Sequence, residues 1–201
     1  IRLTDVTNAT VGGSGAALRN VISGNYGNGI VITGVSTGTD VSGNYVGTSA
    51  LGEDAIPNLS GGIRLSNSDG VAIGQTSGNL VSGNSAPGIV VGTSTNGVVT
   101  NNVVGLDVDG DTAMPNISYG MNVFGSSQFS INGNTVSANT GSGIRLADGA
   151  TAINLYDNRI GIGQFSNIDL GNTNHGIFID NSSDNTIGNM STTLGNVIAF
   201  N

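Results

Sequence analysis

Three carboxylates on alternate residues, Asp107-Val108-Asp109-Gly110-Asp111, form the densest group of metal-ligating side chains in the chain. A hard divalent cation such as Ca²⁺ takes several oxygen ligands, and this run could offer three. It does not match the twelve-residue helix–loop–helix Ca²⁺ loop, whose glycine stands later and whose twelfth residue is Glu, where this chain has Ser118. Two arginines, Arg64 and Arg145, occupy identical Gly-Ile-Arg-Leu contexts and could face an anionic or polar ligand. His175 is the single histidine, and no activated-serine motif accompanies it. Glycoside hydrolysis needs two carboxylates roughly 5–10 Å apart on one face. Asp40, Asp69 and Asp184 are the isolated acids that a fold would have to gather for this purpose.

The elements that must position these groups are set by repetition. Val46-Gly47, ten residues, Pro57-Asn58, three residues and Gly62-Ile63 recur as Val104-Gly105, Pro115-Asn116 and Gly120-Met121. They recur again as Ile160-Gly161, Gly171-Asn172 and Gly176-Ile177. A period of about 58 residues is the mark of a solenoid. Val11-Gly12, Ile73-Gly74 and Ile187-Gly188 carry the same period, followed by near-copies that open at Asn20, Asn79, Asn134 and Asn196 and close at Asn25, Asn84, Asn139 and Asn201.

Gly followed by an apolar residue begins short alternating runs at Gly29, Gly62, Gly88, Gly120, Gly143 and Gly176. Alternation with period two predicts strands whose alternate residues point inward. Ile30, Ile32, Val41, Val46, Ile63, Leu65, Val71 and Ile73 are therefore expected to fill a core, with three short strands in each coil. No stretch shows helical periodicity, and 34 glycines disfavour helices. Asn44, Asn102 and Asn158 fall in register at a corner, where asparagine tolerates left-handed turn geometry and stacked amides can bond from coil to coil. An asparagine ladder is predicted there.

The Asn-Val-Ile-Ser-Gly-Asn and Gly-Ile-Val-Ile motifs, with Asn-Tyr-Val-Gly-Thr and the later Pro-Asn, cover nearly the whole chain. They resemble the repeats of right-handed parallel β-helix proteins, most closely the long repeats of large secreted or surface bacterial members. The resemblance implies an all-β, single-stranded parallel β-helix of roughly six to seven three-sided coils spaced about 4.8 Å apart. The same fold serves pectate lyases, hydrolases, epimerases, adhesins and viral tail proteins, so it does not name a function. The expected layout is one domain over residues 1–201, belonging to a longer protein, with excision or engineering of the ends as another reading of its abrupt limits.

Placed on this frame, the loops at 48–60, 106–118 and 162–174 form a row along one side. Asp107, Asp109 and Asp111 correspond to Ser49, Leu51 and Glu53 in the first loop, so only one copy is fully acidic and a solvated turn is the plainer reading. Arg145 and Arg64 point outward in a column with Val31, Val90, Asn122 and Phe178, a column without acids. Three coils separate the two arginines, about 14 Å, so they cannot grip one carboxylate together. Tyr45, Tyr119, Phe165 and Phe178 are candidate sugar-stacking aromatics, and Tyr119, Phe178 and Arg145 are the expected ligand residues. His175 lacks the Asp-Pro-His signature of an epimerase-like site, and reads as an exposed turn residue. The Gly12-Gly13-Ser14-Gly15 run superficially resembles calcium-binding nonapeptides but is followed by Ala16 and Ala17 instead of Asp. The Asn-x-Ser/Thr matches at Asn8, Asn58, Asn116, Asn181 and Asn189 follow from composition.

Net charge is −8, with no lysine and five scattered arginines, so no basic stripe exists for nucleic acid or an anionic membrane. There is no cysteine, hence no disulfide or thiolate site. No apolar run is long enough to span a bilayer, and no signal peptide is visible. The regularity of the coils points to a structural or adhesive segment of an extracellular or cell-surface bacterial protein, with weak polysaccharide binding, no cofactor other than possible Ca²⁺, and end-to-end self-association through open strand edges. The alternative is a lyase or hydrolase acting on acidic glycans, which requires two or three Asp beside Arg145 or His175 on one face.

Overall fold

The computed structural model describes residues 1–188 and 195–201. Its strands form three parallel sheets of seven strands each, and every coil contributes one strand to each sheet. The first sheet begins with Arg2–Thr4, Ile30–Thr33 and Ile63–Ser66 and ends with Ile177–Asp180. The second runs from Thr10–Gly12 to Thr186–Ile187, and the third from Val21–Ile22 to Val197–Ile198. A single turn of 3-10 helix, Ala16–Leu18, is the only helical element among the described residues.

Parallel register places like residues on like residues. Ile30 pairs with Ile63, Ile63 with Ile89, Ile89 with Met121, Met121 with Ile144 and Ile144 with Ile177. In the second sheet Val41, Ile73, Val99, Ile131 and Leu155 stack in the same way, and in the third Val46, Val81, Val104, Val136 and Ile160. All of these except the partly buried Ile177 are at most 1% exposed. The alternation read from sequence is thus the inside–outside alternation of the coil wall. Every residue expected in the core is there.

The corners are held by side chains rather than by longer turns. Asn20, Asn44, Asn79, Asn102, Asn134, Asn158 and Asn196 form one continuous ladder between the second and third sheets. Each Nδ2 donates to the next Oδ1 at 2.9–3.1 Å. A second ladder, Asn25, Asn58, Asn84, Asn116, Asn139, Asn172 and Asn201, runs up the corner before the first sheet at 2.7–3.0 Å. The third corner uses serine: the Val6, Ser68 and Ser94 backbone N–H groups donate to Ser36, Ser94 and Ser126 Oγ respectively. The burial of Asn58 and Asn116 removes two of the Asn-x-Ser/Thr matches from solvent. The Asn189 match lies outside the described residues.

The three repeated loops leave the third sheet as short hairpins, closed by bridges Thr48–Ala55, Leu106–Ala113 and Ile162–Asp169. Coil spacing alone would hold them about 10 Å apart. Instead they lean along the axis and bond to one another: Val108 N–H donates to Gly52 O at 3.1 Å and Gln164 N–H to Gly110 O at 2.7 Å. Beneath them the outward residues Tyr45 and Leu80 are buried. Tyr45, an expected exposed aromatic, is instead covered: the Arg19 guanidinium lies 3.8 Å above its ring. The loop row and Arg19 therefore cover Tyr45 and Leu80, while Phe165 at the third loop stays exposed.

Candidate functional site

The outer face of the first sheet carries two side-chain columns. One is Arg2, Val31, Arg64, Val90, Asn122, Arg145 and Phe178. The other includes Thr33, and continues through Ser66, Gly92, Phe124, Ala147 and Asp180. The first column is the one expected for the two arginines, and it contains no acid.

Acids nevertheless reach Arg145 from beside it. Arg145 Nη2 lies 3.6 Å from Asp148 Oδ2 and 3.8 Å from Asp180 Oδ2. Asp148 sits in the corner turn three residues on, with φ 50°, and Asp180 comes from the neighbouring column one coil later. Arg145 Nη1 donates to Asn122 Oδ1 at 3.3 Å. The guanidinium lies 5.6 Å from the centre of the Tyr119 ring, a spacing at which a cation is drawn to an aromatic face. Phe178 is Arg145's register partner, and its ring is 5.5 Å from that of the exposed His175. The side chain of Arg145 is 17% exposed.

The three expected ligand residues, Tyr119, Arg145 and Phe178, thus lie on one face, with Arg145 between two carboxylates and Asn122. Asp148 and Asp180 escape a reading confined to the arginine's own column. The signal lies one column over: Asp180 is the next outward residue after Phe178.

The remaining candidates lie apart from this cluster. Asp107 Oδ1 accepts from its own turn, from Gly110 N–H at 3.0 Å and Thr112 N–H at 3.2 Å. Asp111 Oδ1 accepts from Ser166 Oγ of the next loop at 2.7 Å, and Asp109 is exposed. Among the described residues no group of three or more His, Cys, Asp or Glu side chains is arranged to hold a metal ion. Asp40 accepts from Ser42 and Thr76, and its register partners are Thr10 and Ala72. Asp69 accepts from Thr95 and Asn96 at 2.6 and 2.7 Å, and these bonds, Thr95 first, hold its carboxyl below the usual aspartate range. Asp69 bridges Thr37 and Thr95, so again no second acid adjoins it.

Comparison with known proteins bears on the fold more than on the site. Two solved structures are similar: the periplasmic alginate epimerase AlgG and a point mutant of it. Each has a TM-score of 0.66 and 18% identity, covering 94% and 92% of this chain respectively. The chain spans only 47% and 46% of those proteins, about half their length. At that identity the likeness is one of fold. No curated protein matches the chain. A family model described as "Right handed beta helix region" matches residues 7–160. The three parallel sheets, the stacked asparagine corners and this match have one reading: the chain belongs to the right-handed β-helix family.

Proposed function

We propose that the chain is a structural, adhesive β-helix segment of an extracellular or cell-surface bacterial protein, and that it binds polysaccharide through the outer face around Arg145. The observation that carries this reading is the convergence of Tyr119, Phe178 and Arg145 on one open sheet face. Aromatic rings offer apolar faces to the C–H faces of sugars, and fixed polar groups beside them orient hydroxyls. The fold likeness to an alginate epimerase supports a glycan-related role, and that protein's periplasmic location agrees with export. Among the described residues no helix is long and apolar enough to cross a membrane.

The test is binding to immobilised polysaccharides. Phe178→Ala should weaken binding about three- to tenfold, the size of one aromatic contact. Gln128→Ala, exposed beyond the neighbouring corner, should leave it unchanged. Equal loss in both variants would sink the assignment of the face.

A second reading is favoured by one observation: Asp148, Asp180, Arg145 and His175 share this face, as a glycan lyase or hydrolase would require. Release of unsaturated uronates or reducing ends, abolished by Asp180→Asn, would put it first. We also propose that this 201-residue chain associates end to end with itself through its last coil, where Ile179, Ile187 and Ile198 are 42–46% exposed. Sedimentation should then show concentration-dependent association, which Ile198→Glu abolishes; a monomer at all concentrations would refute it.

A further inference from the structure

We infer that the Arg145 face selects neutral glycans over uronic-acid polymers, an inference that rests on the glycan-binding reading above. Arginine grips a carboxylate by presenting parallel N–H donors to its two oxygens. Here the guanidinium already faces two carboxylates of its own chain, at ion-pair and not hydrogen-bond distance. Its Nη2 faces Asp148 and Asp180 at 3.6 and 3.8 Å, and its Nη1 donates to Asn122. Its Nε is buried without a partner, out of a ligand's reach. One guanidinium and two carboxylates leave the cluster with a net charge of −1.

A uronate carboxylate approaching this face would meet two exposed carboxylates before it met the arginine. Their side chains are 62% and 55% exposed, against 17% for Arg145. Like charges set against each other across an interface are strongly unfavourable, and the chain's net charge of −8 adds to the repulsion. Neutral sugar hydroxyls meet the opposite situation. A carboxylate only accepts, with several lone pairs, and pairs of hydroxyls only need to donate to it. Arg145, resting over Tyr119, holds its charge beside the two carboxylates, while Phe178 supplies an apolar face next to them. Phe124 extends the platform in the adjacent column, two coils before Asp180. A coil step of about 4.8 Å is comparable to the rise of one sugar in an extended chain, so successive coils can meet successive residues.

The experiment compares neutral hexose oligomers (cello-, manno- and galacto-hexaose) with oligogalacturonate and oligomannuronate of equal length, by calorimetry on the whole chain at low and moderate salt. At least one neutral series should bind about tenfold or more tighter than either uronate, the size of a hydrogen bond to a charged acceptor. The double variant Asp148→Asn/Asp180→Asn frees the arginine, so it should lose neutral binding several-fold and gain uronate affinity about tenfold. Tighter uronate binding by the unaltered chain would overturn the inference and leave the glycan-binding reading intact. A double variant that binds both classes as before would also overturn it. Absence of binding to every oligomer would instead overturn the glycan-binding reading itself.

Discussion

Asn102→Ala should lower the stability of the chain by about 3–5 kcal/mol and its melting temperature by about 10 °C. The asparagine is fully buried, and its side-chain amide is bonded on both sides. Its Oδ1 accepts from the Asn79 backbone N–H at 3.0 Å and from Asn79 Nδ2 at 2.9 Å. Its Nδ2 approaches Ile73 O, Thr100 O and Asn134 Oδ1, each at 3.0 Å. Alanine removes all of these and leaves the Asn79 backbone N–H and one of its two side-chain amide hydrogens without an acceptor in a closed corner, the other still donating to Val41 O at 2.8 Å. Each buried polar group left unsatisfied costs about 1–3 kcal/mol, which dominates the smaller net worth of the bonds themselves. Asn20→Ala is the control. Asn20 is the first rung, it receives no bond from a preceding rung, and its loss should cost under about 1 kcal/mol. Urea or thermal unfolding of both variants decides the matter. Equal losses would mean that the ladder is a consequence of stacking and not a cause of stability. Because solenoid coils contact mainly their neighbours, the Asn102 variant should also unfold less cooperatively, with early loss of the coils on one side of the break.

Gly74→Ala should cost about 3–4 kcal/mol or abolish soluble expression. Gly74 has φ +94°, a conformation that side chains rarely adopt. An added Cβ would collide with Thr100 O of the next coil and would stand 2.7 and 2.9 Å from Oδ1 and Nδ2 of Asn102. A backbone carbonyl inside a parallel sheet cannot move aside without breaking its own ladder. Gly149→Ala separates this collision from the conformational cost. Gly149 has φ +87°, and nothing lies within 4 Å of the added Cβ, so about 1 kcal/mol is expected. If both variants melted alike, the packing argument would fail and only the dihedral argument would remain.

These two predictions explain the spacing marks that reveal the repeat. Gly12, Gly47, Gly74, Gly105 and Gly161 each follow an apolar strand residue, and a Cβ on any of them would strike a ladder asparagine of the next coil. The Val-Gly and Ile-Gly pairs recur because each coil must leave room for the amide that hooks the following one.

The second ladder is not legible in the sequence, although all its members stand in view there. The period of about 58 residues covers two coils, and alternate rungs carry different neighbours. Asn84 follows Gly83 and Asn139 follows Ala138, whereas Asn58 and Asn116 follow Pro57 and Pro115. Only the stacked register shows that these two kinds interleave in one column.

What the sequence determined by itself is the coil: alternation set inside against outside, the glycine and asparagine marks set the corners, and their period set the stacking. These follow from local sterics and burial, which act over a few residues. Which side chains meet across coils was decided only by the tertiary structure. First-sheet strands start at Met121, Ile144 and Ile177, so successive coils differ in length. Within that stacking, the register sets Phe178 against Arg145 with Asp180 one outward residue on, the arginine side chain reaches across to Asp180 and over Tyr119, and leaning hairpins let loops two coils apart bond directly. The physical reason is reach. A period places backbones, whereas a long side chain or a leaning hairpin crosses between columns, and no spacing rule along the chain records that crossing.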